Sequence, residues 1–347
     1  MASIIGDGSG TVTINFSDLA SAALFKVTGE LYDQFIKSVP LLDLLEKKSR
    51  VVTDGGEYIK YDVRYGEADS IIPFSKFDVI EVGQINDRLP CILNWKNIAG
   101  AVKVADEDLL VTKSSDIGAR LDLLAESVDF VMRGFRKKMN AWIWQDGSDY
   151  SGKVPLGMDA WVSTTPTTGV LGQISRATYI WWRNSAIDAT AEGASKWING
   201  GISGTIKDLP LLLYSDLSYG NEYPDVIFSH PEVRSWYERI IPDHFRVTVP
   251  GEGAEFNYGY ETLAYKGIPW YVDKNCYFTS TDGRMYFLRL DDFKFYVSQE
   301  WQFTPTGFVS LKPSGVIGSV NFILLRCNLA CTKPTNQGVI FNYTGYN

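Results

Sequence analysis

The chain has 347 residues, 45% of them hydrophobic and 21% charged, which is enough apolar material for a packed core and excludes a disordered chain. Its formal net charge is -8, with 41 acidic against 33 basic residues, which excludes a protein whose main task is gripping phosphate backbones. Nowhere is there a run of about 18 uninterrupted apolar residues, so no membrane-spanning helix is expected, and the first residues lack the apolar core of a signal peptide.

Residues 1 to 15 are rich in Gly, Ser and Thr and read as an N-terminal arm. From Ser17 to Lys37 the apolar spacing suggests a helix or two, broken near Gly29 and ended by Pro40, with Leu41 to Leu45 as an apolar run leading out. The texture then changes. Asp54-Gly55-Gly56 marks a turn, after which Ile59, Tyr61, Val63 and Tyr65 alternate with Tyr58, Lys60, Asp62 and Arg64 in the two-residue period of a strand. A polar middle runs from Gly66 past Pro73 to Gly83-Gln84, and the chain returns through Leu93, Trp95, Asn97 and Ala99 to Val102-Lys103-Val104. Residues 51 to 104 thus read as a long two-stranded excursion with no helix of its own to cover it. A lone hairpin is marginal in water, so it must lie against something else, another copy of the chain being a candidate.

The organising stretch is Asp116 to Gln145. Ile117, Leu121, Leu124, Val128, Val131, Met132, Phe135, Met139, Trp142 and Ile143 fall at the three-then-four spacing of one helix face. At about 1.5 Å per residue such a helix reaches roughly 45 Å, the length of a spine. Ser114, Ser115 and Asp116 offer N-terminal capping oxygens, and Asp146-Gly147 supplies the stop. The polar face carries Arg120, Arg133, Arg136, Lys137 and Lys138, which suits either a solvated face or contact with a polyanion.

Residues 147 to 175 read as a Gly, Ser, Thr and Pro rich connection with strand-like pieces such as Ala160-Trp161-Val162. Tyr179 to Ile187 has helical spacing, and Leu209 to Leu217 suits either a helix or the start of a strand. Asp225 to Phe228 reads as a buried strand running into Ser229-His230-Pro231-Glu232, a capping box for a helix whose inner face is Val233, Trp236, Tyr237, Ile240 and Ile241. Glu261 to Val272 reads as strand, turn, strand, and the last eighty or so residues are almost wholly β in pattern. Helices interspersed among non-local strands define an α+β fold.

Chemistry is sparse. His230 already has a place in a helix first turn, and His244 sits in a loop pattern, so a triad or a histidine metal site has few ways to be built. Asp106-Glu107-Asp108 and Asp291-Asp292 read as solvated acids in turns, and no nucleophile, zinc or phosphate-loop motif is present. Cys91, Cys276, Cys327 and Cys331 are too scattered for a disulfide framework and read as buried free thiols. No catalytic, cofactor-binding or metal-ligating residue is assigned. The aromatic share is 14%, with 10 Trp, 19 Tyr and 18 Phe; these suit cores and surfaces between subunits better than nucleic-acid stacking in a chain this acidic.

The order of parts resembles the major capsid proteins of tailed bacteriophages: an arm and helix, a β excursion opened by Gly55-Gly56-Glu57-Tyr58-Ile59-Lys60-Tyr61, a spine helix, a compact α/β region and a β-rich close. Local texture is also similar in Arg176-Ala177-Thr178-Tyr179 with Trp181-Trp182-Arg183-Asn184, in Pro224 to Ser229 and in Gly267 to Asp273. The resemblance spans the whole chain and rests on architecture more than on any one motif. It implies an N-terminal arm and helix over 1–50, an extended β loop over 51–104 that lies on a neighbouring subunit, and a peripheral domain over 105–174 built on the spine helix 116–145. An axial domain over 175–283 and a closing β segment shared between the two domains over 284–347 complete it. It further implies hexamers and pentamers closing into an icosahedral shell around double-stranded DNA, assembled in the host bacterial cytoplasm, with a portal, a separate scaffolding protein and weak non-specific contact with the packaged DNA. No cofactor and no membrane enter. About sixteen residues precede the first helix, too few for a fused scaffolding segment, so a scaffold is expected to be a separate protein or absent. Two other classes stay open: a phage tail or receptor-binding protein, and a carbohydrate-active hydrolase with paired carboxylates in an aromatic cleft.

Overall fold

The computed structural model describes residues 40–53, 55–66, 75–76, 87–105, 117–190, 208–220, 222–240, 263–312 and 317–343. The expected arm and the helix over 17–37 lie outside them, as do the proposed caps at Ser114 to Asp116. The described chain forms two compact units, one holding residues 98–137 and 303–325 and the other holding the remainder.

Pro40 opens a helix where the sequence suggested a stop. Helix α1, Pro40–Ser49, begins on it, because a first-turn residue has no intrahelical use for its amide and proline's fixed φ suits the position. The apolar run is the inner side of this helix: Leu41, Leu42, Leu44 and Leu45 are all buried. Strand β1, Arg50–Thr53, follows directly. Strands β2, Tyr58–Arg64, and β3, Arg88–Asn94, pair antiparallel from Tyr58 opposite Asn94 to Arg64 opposite Arg88. The next strand, β4 at Lys96–Ala105, does not extend that ribbon but pairs with a late strand of the chain.

Helix α2 runs from Ile117 to Ile143. Where its side chains are described the anticipated face is inside, with Val128, Met132, Phe135, Met139 and Ile143 buried and Val131 and Trp142 half-buried. A single helical turn, α3 at Met158–Trp161, stands where the sequence suggested a strand. The indole of Trp161 explains the difference. It is fully buried and donates to the Leu329 carbonyl at 3.1 Å, a partner that local alternation cannot reveal. Strands β5, Val170–Leu171, and β6, Ile174–Ser175, form a small hairpin whose turn residues Gly172 and Gln173 both have positive φ.

The expected helix over Tyr179 to Ile187 is instead a 3-10 turn, Ile180–Trp182, followed by strand β7, Ser185–Asp188. Both faces of β7 are covered, so its sequence does not alternate and the apolar spacing mimics a helix. Helix α4, Leu209–Leu217, settles the open choice there. Then come β8, Val226–Ser229, and helix α5, Pro231–Ile240. Strands β9, Leu263–Tyr265, and β10, Ile268–Val272, turn through Lys266 and Gly267, both at positive φ, as a tight hairpin requires.

The β-rich close is as read: β11 at Gly283–Leu288, β12 at Phe293–Pro305, β13 at Val309–Ser310, β14 at Gly318–Cys331 and β15 at Gly338–Tyr343. One sheet runs β7-β15-β11-β8-β10-β9 and another runs β1-β12-β14-β13, with β4 also on β14. Cys327 and Cys331 lie along β14, and all four cysteines are free and buried.

Both faces of the six-stranded sheet are covered. On one, Leu213 and Leu217 of α4 and Val233, Trp236 and Tyr237 of α5 join Ile227, Trp270, Met285, Phe287 and Ile340 in a single apolar core. On the other, Trp144 at the end of α2 packs 5.4 Å from both Phe228 and Tyr286. Asp273 fixes that end by accepting from Trp144 Nε1 at 3.1 Å and Asn140 Nδ2 at 3.2 Å. In the other unit Phe135 meets Phe303 edge-on at 5.9 Å, and its ring fills the space that a side chain at Gly100 would take.

Candidate assembly surfaces

The ribbon of β2 and β3 has one inner and one outer face. Ile59, Val63, Cys91 and Leu93 point inward and are buried, whereas Tyr58, Lys60, Asp62 and Arg64 are exposed. What these residues lie against is the chain's own body, not another copy. The Ile92 amide donates to the Gly172 carbonyl at 3.1 Å, and Tyr61 Oη donates to the Cys331 carbonyl at 2.8 Å. A Cβ at Gly172 would lie 2.0 Å from Cys91 Sγ, so only glycine allows this approach. Burial pushes the Cys91 thiol up to about 11, which keeps it protonated and unreactive.

The ribbon is firmly rooted. The Tyr65 amide donates to the Asp87 carbonyl at 2.9 Å, Arg64 pairs with Asp87 at 3.0 Å, and the Tyr65 ring stacks on Trp181 with centroids 5.0 Å apart. The outer part of the excursion, 67–74 and 77–86, lies outside the described residues.

On the outer side of α2 the cations are partly neutralised. Arg133 pairs with Asp129 one turn away, and Lys138 lies 6.0 Å over the Trp142 ring. Phe130 stands among them at 75% exposure. Arg133, Lys137 and Lys138 are all exposed, as the solvated-face reading expects.

Several of the residues considered for chemistry have structural work, while Asp291 is exposed as read. Ser229 does not cap α5: its hydroxyl accepts from Trp270 Nε1 at 2.8 Å and donates to the His230 carbonyl. His230 caps the helix instead, with Nδ1 accepting the Glu232 amide at 3.3 Å and its ring stacked on Phe278 at 4.3 Å. Asp292 is buried, contrary to the solvated reading, and accepts from Asn336 Nδ2 at 2.9 Å. Asp159 and Asp282 both pair with Arg284, whose guanidinium lies 3.6 Å from the centre of the Tyr277 ring. His244 and Asp106 to Asp108 lie outside the described residues. Among the described residues no group of three or more potential metal ligands is gathered, and no helix is long and apolar enough to cross a membrane.

The cap makes stability depend on acid. Burial lowers the His230 pKa, with Glu232 and Asp273 opposing and Lys274 adding to the shift. Below the ordinary histidine value of about 6.5 the unfolded chain therefore binds the proton more readily than the folded one. The contribution is fully present above that value and is lost as pH falls through the lower folded pKa. Loss of the acceptor removes about 1 kcal/mol of capping. Urea midpoints of the natural chain and His230→Asn, which keeps an acceptor, are expected to diverge between pH 7 and 5, the variant falling less. Parallel curves would show that His230 stays neutral or does not cap.

No protein-family model and no curated protein matches the sequence. Solved structures do match in fold. The capsid protein of cyanophage A-1(L) is 17% identical, covers 88% of this chain and 92% of its own, and has a TM-score of 0.60. The SrpI encapsulin of Synechococcus elongatus PCC 7942 is 11% identical, with 88% of each chain covered and a TM-score of 0.53. The capsid protein of an empty GTA particle is 10% identical, with 86% and 96% covered and a TM-score of 0.52. The chain thus has the major capsid protein fold, shared by phage capsids and an encapsulin, as its order of parts suggested.

Proposed function

We propose that the chain is a major capsid protein that assembles through hexamers and pentamers into the icosahedral shell of a tailed bacteriophage, enclosing its double-stranded DNA. The observation that carries this reading is the fold match to capsid proteins over 88% of the chain, together with a two-stranded β ribbon rooted on the chain's own body. The role is structural: Asp292 is buried and bonded to Asn336, and His230 caps a helix. The parts are an arm and helix over 1–50, a loop over 51–104 whose ribbon is β2 and β3 while β1 and β4 pair elsewhere, a peripheral domain over 105–174, an axial domain over 175–283 and a shared segment over 284–347. A separate scaffolding protein and a portal are the expected partners, DNA contact is weak, and assembly takes place in the host cytoplasm. The encapsulin match supports a second reading, a shell of encapsulin type without a viral genome.

The test shortens the loop. Residues 66–86 are replaced by Asn-Gly, the two-residue link that joins a hairpin between Tyr65 and Asp87, whose backbone bond is already in place. Circular dichroism and a cooperative melt are expected to stay near those of the natural chain, while negative-stain images show assembly stopping at capsomers. Normal closed shells from the shortened chain would show that the loop is not the intersubunit clasp. Nuclease-protected DNA in shells of the natural chain separates the two readings, since the encapsulin type expects none.

A further inference from the structure

One end of the six-stranded sheet gathers three exposed apolar side chains from two loops. Phe287 lies opposite Gly338 and Leu288 opposite Val226, so the turn after β11 and the approaches to β8 and β15 meet at that end. Ser185 pairs with Gly338, which brings the start of β7 there as well. Tyr219 is 85% exposed, Tyr223 52% and Ile180, in the 3-10 turn before β7, 74%.

Their mount is rigid. The turn closes on itself, with the Tyr219 amide donating to the Glu222 carbonyl at 2.8 Å and the Glu222 amide returning to the Tyr219 carbonyl at 2.9 Å. The Glu222 carboxylate receives Lys333 Nζ at 2.9 Å and Asn336 Nδ2 at 3.0 Å, and forms an ion pair with Arg289 at 2.9 Å. Asn336 also reaches Asp292, and Asp225 pairs with Lys48 at 3.5 Å. The 3-10 turn at Pro334–Asn336 touches the one that carries Ile180, so a continuous run of contacts links Ile180 to the tyrosine turn.

Two physical consequences follow. Rigid aromatic side chains lose little conformational freedom on contact, which is why tyrosine is enriched at the anchors of interfaces. Glu222, Asp225 and Asp292 face Lys333, Lys48 and Arg289, so charge within this cluster is cancelled, with Asp291 exposed beside it. A chain of net charge -8 repels its own copies, and they approach most easily where charge is cancelled within each copy. A polyanion would need unpaired cations, and here Lys333, Arg289 and Lys48 are all engaged.

We propose that this end of the sheet, anchored by Tyr219, Tyr223 and Ile180, is a contact surface for a second copy of the chain. The proposal rests on the self-association reading above and names where that association occurs. The test uses the full chain carrying Tyr219→Ser with Tyr223→Ser, and separately Ile180→Ser, compared by sedimentation velocity over a range of concentration and salt. Circular dichroism is expected to be unchanged, and the concentration at which half the chain associates is expected to rise about tenfold or more for the tyrosine pair. Ile180→Ser lies on a different loop and is expected to shift association in the same direction, so the test stays readable should the tyrosine turn misfold. Association of both variants at the natural chain's concentration would overturn this surface and leave self-association standing. A natural chain that stays monomeric under every condition would overturn both.

Discussion

Gly157→Ala is expected to destabilise the chain by about 3 kcal/mol or more, the range of severe overpacking. A Cβ there would lie 2.3 Å from the Gln145 carbonyl oxygen, 2.5 Å from that of Trp142 and 2.7 Å from that of Ile143. These are backbone oxygens at the end of α2, and none can rotate aside as a side chain would. Moving Gly157 away instead would strain neighbouring bonds, because the Leu156 amide donates to Asn328 at 2.9 Å and Trp161 is held to Leu329. Gly134→Ala supplies the contrast. Its Cβ meets nothing within 4 Å, and alanine gains about 1 kcal/mol over glycine in a helix interior. Urea melts followed by tryptophan fluorescence read both, and similar midpoints for the two variants would refute the steric account.

Phe135→Ala is expected to cost about 3 to 5 kcal/mol through lost burial and a residual cavity. The side chain is 5% exposed and packs edge-on against Phe303. Lys137→Ala, on the exposed side of the same helix, should stay within about 0.5 kcal/mol. Gly100 makes the prediction sharper. An ideal Cβ there would sit 2.2 Å from Phe135 Cε2 and 2.8 Å from Val131 Cγ1, so Gly100→Ala alone should also destabilise. Adding it to Phe135→Ala should cost less than it does alone, because the ring it strikes is gone. Additive losses in the double-mutant cycle would mean that Gly100 and Phe135 do not share that space.

The readings that held rest on periodicity or on turns whose constraints are local. Ten apolar residues at helical spacing identify α2 because one side of a long helix must face a core whatever that core is made of. The turn read within Glu261 to Val272 is legible because Gly267 tolerates the positive φ it adopts there. The readings that failed depend on partners distant in sequence. Ser229 has the spacing of a cap, but the Trp270 indole engages its hydroxyl and His230 takes over. Asp292 resembles a solvated turn acid until Asn336 is brought to it from another loop.

The sequence alone determined an acidic, aromatic-rich α+β chain with one long helix, a β excursion and a β-rich close, and its order of parts was enough to suggest the capsid fold. Tertiary structure decided which surfaces are covered. It placed Gly172 and the Cys331 carbonyl against the ribbon, and it brought Ile180, Tyr219 and Tyr223 to one end of a sheet with Glu222 bound among cations. The physical reason is that periodicity records only that a face is apolar. What covers that face depends on contacts between distant segments, whose free energy is set by burial and hydrogen-bond geometry that exist only once the chain has closed on itself.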